Sequence, residues 1–301
     1  MKLLALLIGL VIERLATQLF HLRELRWLDR LIDAGFRAVS RVEKWPALIP
    51  VILLAILLVL PVYLLRFALA DTLYGFPYLI LAIFVLFFSL GPKDIGEDID
   101  EYCKSLEEGD EERIAHSAKA LIETDVPDDP AERIQRVEEA VCVQANNRLF
   151  AVIFWFVLLG PVAAWAYRVS DLVRRRAVFK ATREEVKIDE RIVDAASTLH
   201  GWLAWIPARL TAIGFGMAGS FDAAVSAWKS SDEKQEIPLS EQSERLLARV
   251  GTAALAIQDI DGESTVDRGV RGATAASGLV FRLLFIWAAV IAAMTLYGWS
   301  V

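Results

Sequence analysis

The chain has 301 residues, 55% of them apolar and 24% charged, with a formal net charge of −7. A pI near 5.2 excludes the basic footprint of a nucleic-acid binder. The two cysteines, Cys103 and Cys142, have neither CxxC nor Cys/His spacing, which excludes a zinc site or disulfide framework and reads as ordinary thiols. Apolar and charged residues are segregated into continuous runs, the pattern of an all-α membrane protein rather than a β-barrel.

Leu3 to Phe20 is apolar apart from Glu13 and Arg14. Without an A-x-A-type cleavage site this is expected to be a retained helix, not a signal peptide. A basic stretch follows, with six Lys/Arg between Arg23 and Lys44. Its apolar positions Leu22, Leu25, Leu28, Ile32 and Phe36 recur every three or four residues, so it forms an amphipathic helix at an interface or against other helices. Ala47 to Leu65 carries no charge over nineteen residues, long enough to cross about 30 Å of hydrocarbon. After a loop with Arg66, Asp71 and Gly75, Phe76 to Leu90 completes a transmembrane hairpin.

Residues 93–148 are acidic, with seventeen Asp/Glu against seven Lys/Arg. Pro127-Asp128-Asp129-Pro130 divides this segment into two helices, with Asp128 or Asp129 as cap and Pro130 in the first turn. Leu149 to Val169 is apolar but carries Gly160-Pro161, which breaks or kinks it. Beyond Arg174-Arg175-Arg176 come a polar helix, a semi-apolar one over 202–221, a loop over 230–244, and small residues from Gly251 to Gly278. Leu279 to Trp299 is the last membrane block. The expected units are 1–92, membrane helices with a basic connector; 93–148, an acidic helical segment in the cytoplasm; 149–171, a broken or re-entrant membrane helix; 172–278, a polar to semi-apolar helical segment; and 279–301, the C-terminal membrane helix. This is a polytopic protein with four to five transmembrane helices. Lys/Arg-rich short segments stay cytoplasmic, so both 21–46 and Arg174–Arg176 belong inside only if the block at 149–171 dips into the bilayer and returns.

Ionisable groups at membrane depth are costly unless paired or functional. Glu13 and Arg14, and Tyr167-Arg168, meet that description; a structural pairing of Glu13 with an arginine is the plainer alternative. Arg209 follows Pro207 within an apolar run and could grip a phosphate or carboxylate bidentately or snorkel to the interface. Asn146-Asn147-Arg148 and Asp267, Arg268 and Arg271 stand at polar-to-apolar boundaries, where a shared pocket could form. Asp94, Glu97, Asp98 and Glu101 could bind a divalent cation, but a solvated first turn explains them more simply; no metal site is expected. Gly214-Phe215-Gly216-Met217-Ala218-Gly219 matches GxGxxG without a preceding strand, so its glycines serve close helix packing. No P-loop occurs, and His21, His116 and His200 are too scattered for a triad.

LVIERL at 10–15, GPVAAWAYR at 160–168, LAWIPARLTA at 203–212 and MTLYGWSV at 294–301 resemble the AmpE family, bacterial inner-membrane proteins associated with the regulation of β-lactamase induction. That family is similar in turn to the cobinamide-phosphate synthases (CbiB, also called CobD). Leu106-Glu107-Glu108-Gly109-Asp110 matches an acidic run of that wider group. The resemblance covers most of the chain. Where the synthases carry an ENTSDG-like motif this chain has Val143-Gln144-Ala145-Asn146-Asn147-Arg148. Where they carry an NTLDSMVGY-like stretch it has Val169-Ser170-Asp171-Leu172 and three arginines, and an NAGWPEA-like motif has no counterpart in 261–274. Losing these groups argues against corrinoid synthesis. The resemblance therefore implies an inner-membrane signalling or accessory protein, with the lipid bilayer and an anionic small molecule or envelope protein as partners. Arg168 and Arg209 would bind the anion, Tyr167 and Asn147 would be polar neighbours, and Glu13 would orient them. No cofactor is expected on this reading. A divergent membrane synthase or transferase using a phosphorylated or nucleotide substrate, with ATP and Mg²⁺, is the alternative.

Overall fold

The computed structural model describes residues 25–41, 45–69, 76–90, 95–122, 125–183, 188–230, 238–258 and 260–297. The first apolar block, with Glu13 and Arg14, lies outside them. Every described element is a helix.

α1 (Arg26–Ser40) buries Leu28, Ile32, Phe36 and Val39, the stripe expected from the three-to-four spacing. It faces α2 (Leu48–Leu69), Trp165 and Val169, so protein takes up the apolar face of this amphipathic helix. α2 continues past the expected loop start at Arg66. α3 (Phe76–Ser89) returns beside it.

The acidic segment forms three helices rather than two. α4 (Ile95–Glu108) ends at Gly109, and Asp110 caps α5 (Glu111–Leu121) by accepting from the backbone N–H groups of Glu112 and Arg113. The PDDP run supplies the second break, where Asp129 caps α6 (Pro130–Ala145) with Pro130 in its first turn. Gly109-Asp110 acts as a breaker because glycine adopts φ +71° there and the next side chain satisfies orphan helix donors.

α6 runs through a π-helical turn (Asn146–Phe150) into α7 (Ala151–Leu159). Gly160 then takes φ 90° and ψ −170°, a region that side chains exclude, and α8 (Pro161–Arg183) starts at Pro161. The Tyr167 hydroxyl donates to Asn147 Oδ1 at 3.2 Å, and Arg175 Nη2 donates to Gln144 Oε1 at 2.9 Å. A straight helix would hold the first pair some 30 Å apart at 1.5 Å per residue, so the chain reverses at Gly160. The segment expected as 149–171 is thus the tip of an α6–α7/α8 hairpin, and α8 runs unbroken across residue 171.

α9 (Glu190–Ala218) crosses from α8 onto the other arm: Ile192 and Ala196 join the cluster of Val169 and Val173, whereas Ala208, Ala212 and Phe215 join that of Cys142 and Ala145. α10 (Phe221–Ser230) and α11 (Leu239–Leu255) cover its end. α11 begins inside the segment expected as a loop. α12 (Thr265–Leu296) packs its small N-terminal residues on α4 and α6, with Gly269 against Leu106 and Ile134. The GxGxxG glycines serve packing: a Cβ on Gly214 would meet Leu283, and one on Gly219 would meet the Ala254 carbonyl.

By length and composition Leu48–Leu69, Pro130–Leu159 and Thr265–Leu296 can each cross a membrane, and Phe76–Ser89 is a shorter apolar helix. This is an all-α membrane protein.

Candidate functional site

The two arms of the hairpin meet in three polar layers. Deepest is a neutral one. Asn147 Oδ1 accepts from the Tyr167 hydroxyl at 3.2 Å and from Asn146 Nδ2 at 3.0 Å, and the Thr211 hydroxyl of α9 donates to Asn146 Oδ1 at 3.0 Å. The Ser170 hydroxyl donates to the Tyr167 carbonyl at 2.7 Å and lies 3.4 Å from His200 Nδ1. All six residues are buried. The wide π turn makes this layer: it turns Asn146, Asn147, Arg148 and Phe150 inward together, which one face of a regular α-helix cannot do. Asn147 Nδ2 is buried with no partner among the described residues.

The next layer centres on Asp171, which is fully buried. Arg168 Nη1 donates to it at 2.9 Å, Arg174 Nη2 at 3.3 Å, and Arg175 Nε lies 3.0 Å from its second oxygen. The spacings, three before and three and four after, put all three arginines over one carboxylate. Arg174 also reaches Glu244 of α11 at 3.3 Å. Three arginines and two carboxylates, Asp171 and Glu244, thus form one charged layer.

The outermost layer opens as a cavity of about 570 Å³ lined by Lys119, Arg148, Arg175 and Arg176, with Asp29, Leu172 and Phe179 among its other walls. Gln144 Oε1 ties the arms together, accepting from Arg148 Nε and Arg175 Nη2, both at 2.9 Å. Arg148 also donates to Asp98 at 2.8 Å and to the Ala120 carbonyl at 3.0 Å. Arg176 holds Asp33 of α1 through two bonds of 2.8 and 2.6 Å, and these bonds hold the Asp33 carboxyl below its usual range. Lys119 has no ion-pair partner among the described residues. Three planar guanidiniums and an ammonium converging on one opening suit a multiply charged anion such as a phosphate ester.

Of the residues marked from sequence, Tyr167 and Asn147 are bonded to one another, and Arg168 lies on Asp171 in the adjoining layer. Arg209 stands elsewhere: its Nη1 donates to the Trp205 carbonyl at 3.0 Å and its guanidinium stacks 3.9 Å from the Trp205 ring. Glu13 lies outside the described residues. Arg268 pairs with Glu138 and Arg271 with Glu263, so this end of α12 forms its own ion pairs rather than a pocket with Asn146–Arg148. Asp98 belongs to Arg148, Asp171 to three arginines and Asp33 to Arg176. Among the described residues no three His, Cys, Asp or Glu gather to hold a metal ion. Burial pushes the Cys103 thiol up, as for an inert thiol. Sequence reasoning missed Gln144, Asp171, Arg175, Arg176 and Lys119 as site residues. The one available signal was Asp171 with arginines at helical spacing on both sides.

Two relatives are cobalamin biosynthesis proteins CobD. That of Stutzerimonas stutzeri (strain A1501) is 24% identical over 149 residues, covering 49% of this chain and 48% of the relative. That of Chromobacterium violaceum is 25% identical over 156 residues, covering 50% and 47%. The chain thus spans about half the length of the curated relatives it matches. No solved structure matches. The family model described as regulatory signalling modulator protein AmpE matches residues 1–301, and with that full-length match the chain belongs to the AmpE family.

Proposed function

We propose that this protein is a multi-pass signalling or accessory component of the bacterial inner membrane, tied to β-lactamase induction and cell-wall sensing, which reads an anionic small molecule from the cytoplasmic side. The observation that supports it best is the cavity whose wall brings together Lys119, Arg148, Arg175 and Arg176. The Arg176–Asp33 bonds keep the basic helix α1 and the arginine cluster at one end of the molecule, and positive segments favour the cytoplasm. On this topology α2 and α3 cross the membrane, the α7–α8 tip dips into it and returns, and α12 crosses with its apolar C-terminal half. Ligand occupancy would couple the two hairpin arms through Gln144.

The test is the thermal unfolding of purified protein in detergent with nucleotides, corrinoid phosphates and muropeptide fragments. A ligand at a hundred times its Kd stabilises by about 2.7 kcal/mol. A shift with one class, lost in Lys119→Gln and in Arg175→Gln, is the expected result; no shift with any class would remove the sensing role. The likeness to the two CobD proteins supports a second reading, a divergent transferase acting on a phosphorylated substrate. Turnover of a stabilising compound would favour it over sensing.

A further inference from the structure

Arg209 lies outside the basic cavity, in surroundings that pose a separate question. Between Asp194 and Asp222 it is the only Asp, Glu, Lys or Arg. Trp202, Ile206, Leu210, Ile213, Met217 and Phe221 recur every three or four residues along α9 into α10, each between 41% and 61% exposed. The half-buried guanidinium of Arg209 lies at the edge of this stripe. It is flattened on the Trp205 ring at 3.9 Å and donates through Nη1 to the Trp205 carbonyl. It has no ion-pair partner among the described residues. An arginine stacked on tryptophan beside apolar side chains keeps its charge and most of its donors, and no carboxylate among the described residues neutralises it.

Two features bear on what lies against it. The stripe is continuous with the membrane-crossing surface: Leu199 and Leu203, at its N-terminal end, join Ile52, Ile56 and Leu60 of α2 and Val162 of α8 around an apolar cavity of about 430 Å³. That cavity lies about 9 Å along the helix from Arg209, at 1.5 Å per residue. The depth also fits. Thr211 bonds Asn146 in the innermost polar layer, so Arg209, two residues from Thr211, stands where the polar layers give way to the apolar girdle. Tryptophan and snorkelling arginine are side chains of that boundary.

We propose that the outer face of α9 and α10 is a lipid-binding surface, with Arg209 holding the phosphate of a bilayer phospholipid whose acyl chain runs toward the cavity between α2, α8 and α9. This stands apart from the cytoplasmic anion cavity and does not require it.

The experiment uses the full chain purified in detergent and loaded either with phosphatidylglycerol or with a glucosyl diacylglycerol of the same acyl chains, which has no phosphate. Native mass spectrometry counts the retained lipids. The wild type is expected to retain at least one phosphatidylglycerol that the glucolipid does not replace. Arg209→Gln is expected to weaken that retention about ten-fold, as for loss of one charge-assisted contact, with Arg209→Lys between the two. Equal retention of both lipids, or of phosphatidylglycerol by wild type and Arg209→Gln, overturns the proposal. So does release of the lipid by millimolar inorganic phosphate, which would make Arg209 a site for soluble anions. A second measurement avoids any arginine change. In vesicles of phosphatidylglycerol with brominated acyl chains, Trp205→Phe is expected to lose part of the quenched tryptophan emission. An unchanged quenched fraction would mean that protein, not lipid, covers the stripe.

Discussion

Leu48–Leu69 and Pro130–Leu159 both have the length and composition of a membrane-crossing helix, yet 17% of the most apolar window of the first is buried and 67% of the second. α2 turns most of its side chains outward, with Leu53, Ile56, Leu57 and Leu64 more than half exposed. The α6–α7 arm instead faces other helices and carries Gln144, Asn146, Asn147 and Arg148 inside. The difference teaches that an apolar run reports compatibility with hydrocarbon, whereas the polar residues within it report what it encloses. In α2 the ionisable side chains are Tyr63 and Arg66, both exposed near its C-terminal end. In the α6–α7 arm the buried polar side chains need partners, which α8 supplies to Asn147 and Gln144, α9 to Asn146 and α4 to Arg148.

The largest effect expected is at Asp171. Asp171→Ala leaves Arg168, Arg174 and Arg175 crowded without their shared carboxylate, and removing one partner of such a buried set costs about 3–5 kcal/mol. Thermal unfolding in detergent measures it; a loss under about 1 kcal/mol would mean that the three arginines do not depend on Asp171. Next is Gly160→Ala, which forces a side chain into the φ 90°, ψ −170° conformation at a cost of about 1–3 kcal/mol. A neutral result would show that the reversal tolerates another backbone path. Tyr167→Phe removes one donor to Asn147 while Asn146 still donates to the same oxygen, so about 1 kcal/mol is expected. If it instead matches Asp171→Ala, the neutral layer contributes as much as the charged one.

Much of the fold was legible because periodicity and breakers act locally. The stripe through Leu28, Ile32 and Phe36, the break at Gly160-Pro161 and the Asp129 cap all depend on neighbours within a turn or two. The site was legible only where polarity met an apolar run, as at Asn147, Tyr167 and Arg168. Gln144 and Arg175 are thirty-one residues apart and become a pair only once the chain reverses, so no local pattern announces them. Two of the three segments that depart from the synthase-like motifs, 143–148 and 169–176, meet here through Gln144 and Arg175. Arg209 carries the opposite lesson: its local signal, a proline and an arginine in an apolar run, does not say which residues lie beside it, and its side chain lies against Trp205 rather than beside Arg168.

The Asp33–Arg176 contact tests whether α1 is anchored to the hairpin as firmly as α8 is to α6. Arg176 lowers the Asp33 pKa, so the folded state releases this proton more readily than the unfolded chain. The stabilisation is therefore fully present above the ordinary value of 3.8 and is lost as pH falls through the depressed one. Asp33→Asn is expected to cost about 1 kcal/mol at neutral pH and to flatten the acid limb of the stability curve below 3.8. An acid limb unchanged by the substitution would show that other carboxylates govern it.

The smallest effect expected is on the outward face of α2. Leu57 is 63% exposed, and a side chain facing lipid has no water to escape from, so shortening it exchanges contacts with leucine for contacts with an acyl chain. Leu57→Ala should shift stability by no more than about 0.5 kcal/mol, measured in vesicles so that lipid is present. A loss above about 2 kcal/mol would be the size of a buried leucine truncation. That outcome would mean that protein covers α2, as a second copy could. The contrast between the two apolar segments would then be one between intramolecular and intermolecular packing rather than between lipid and protein.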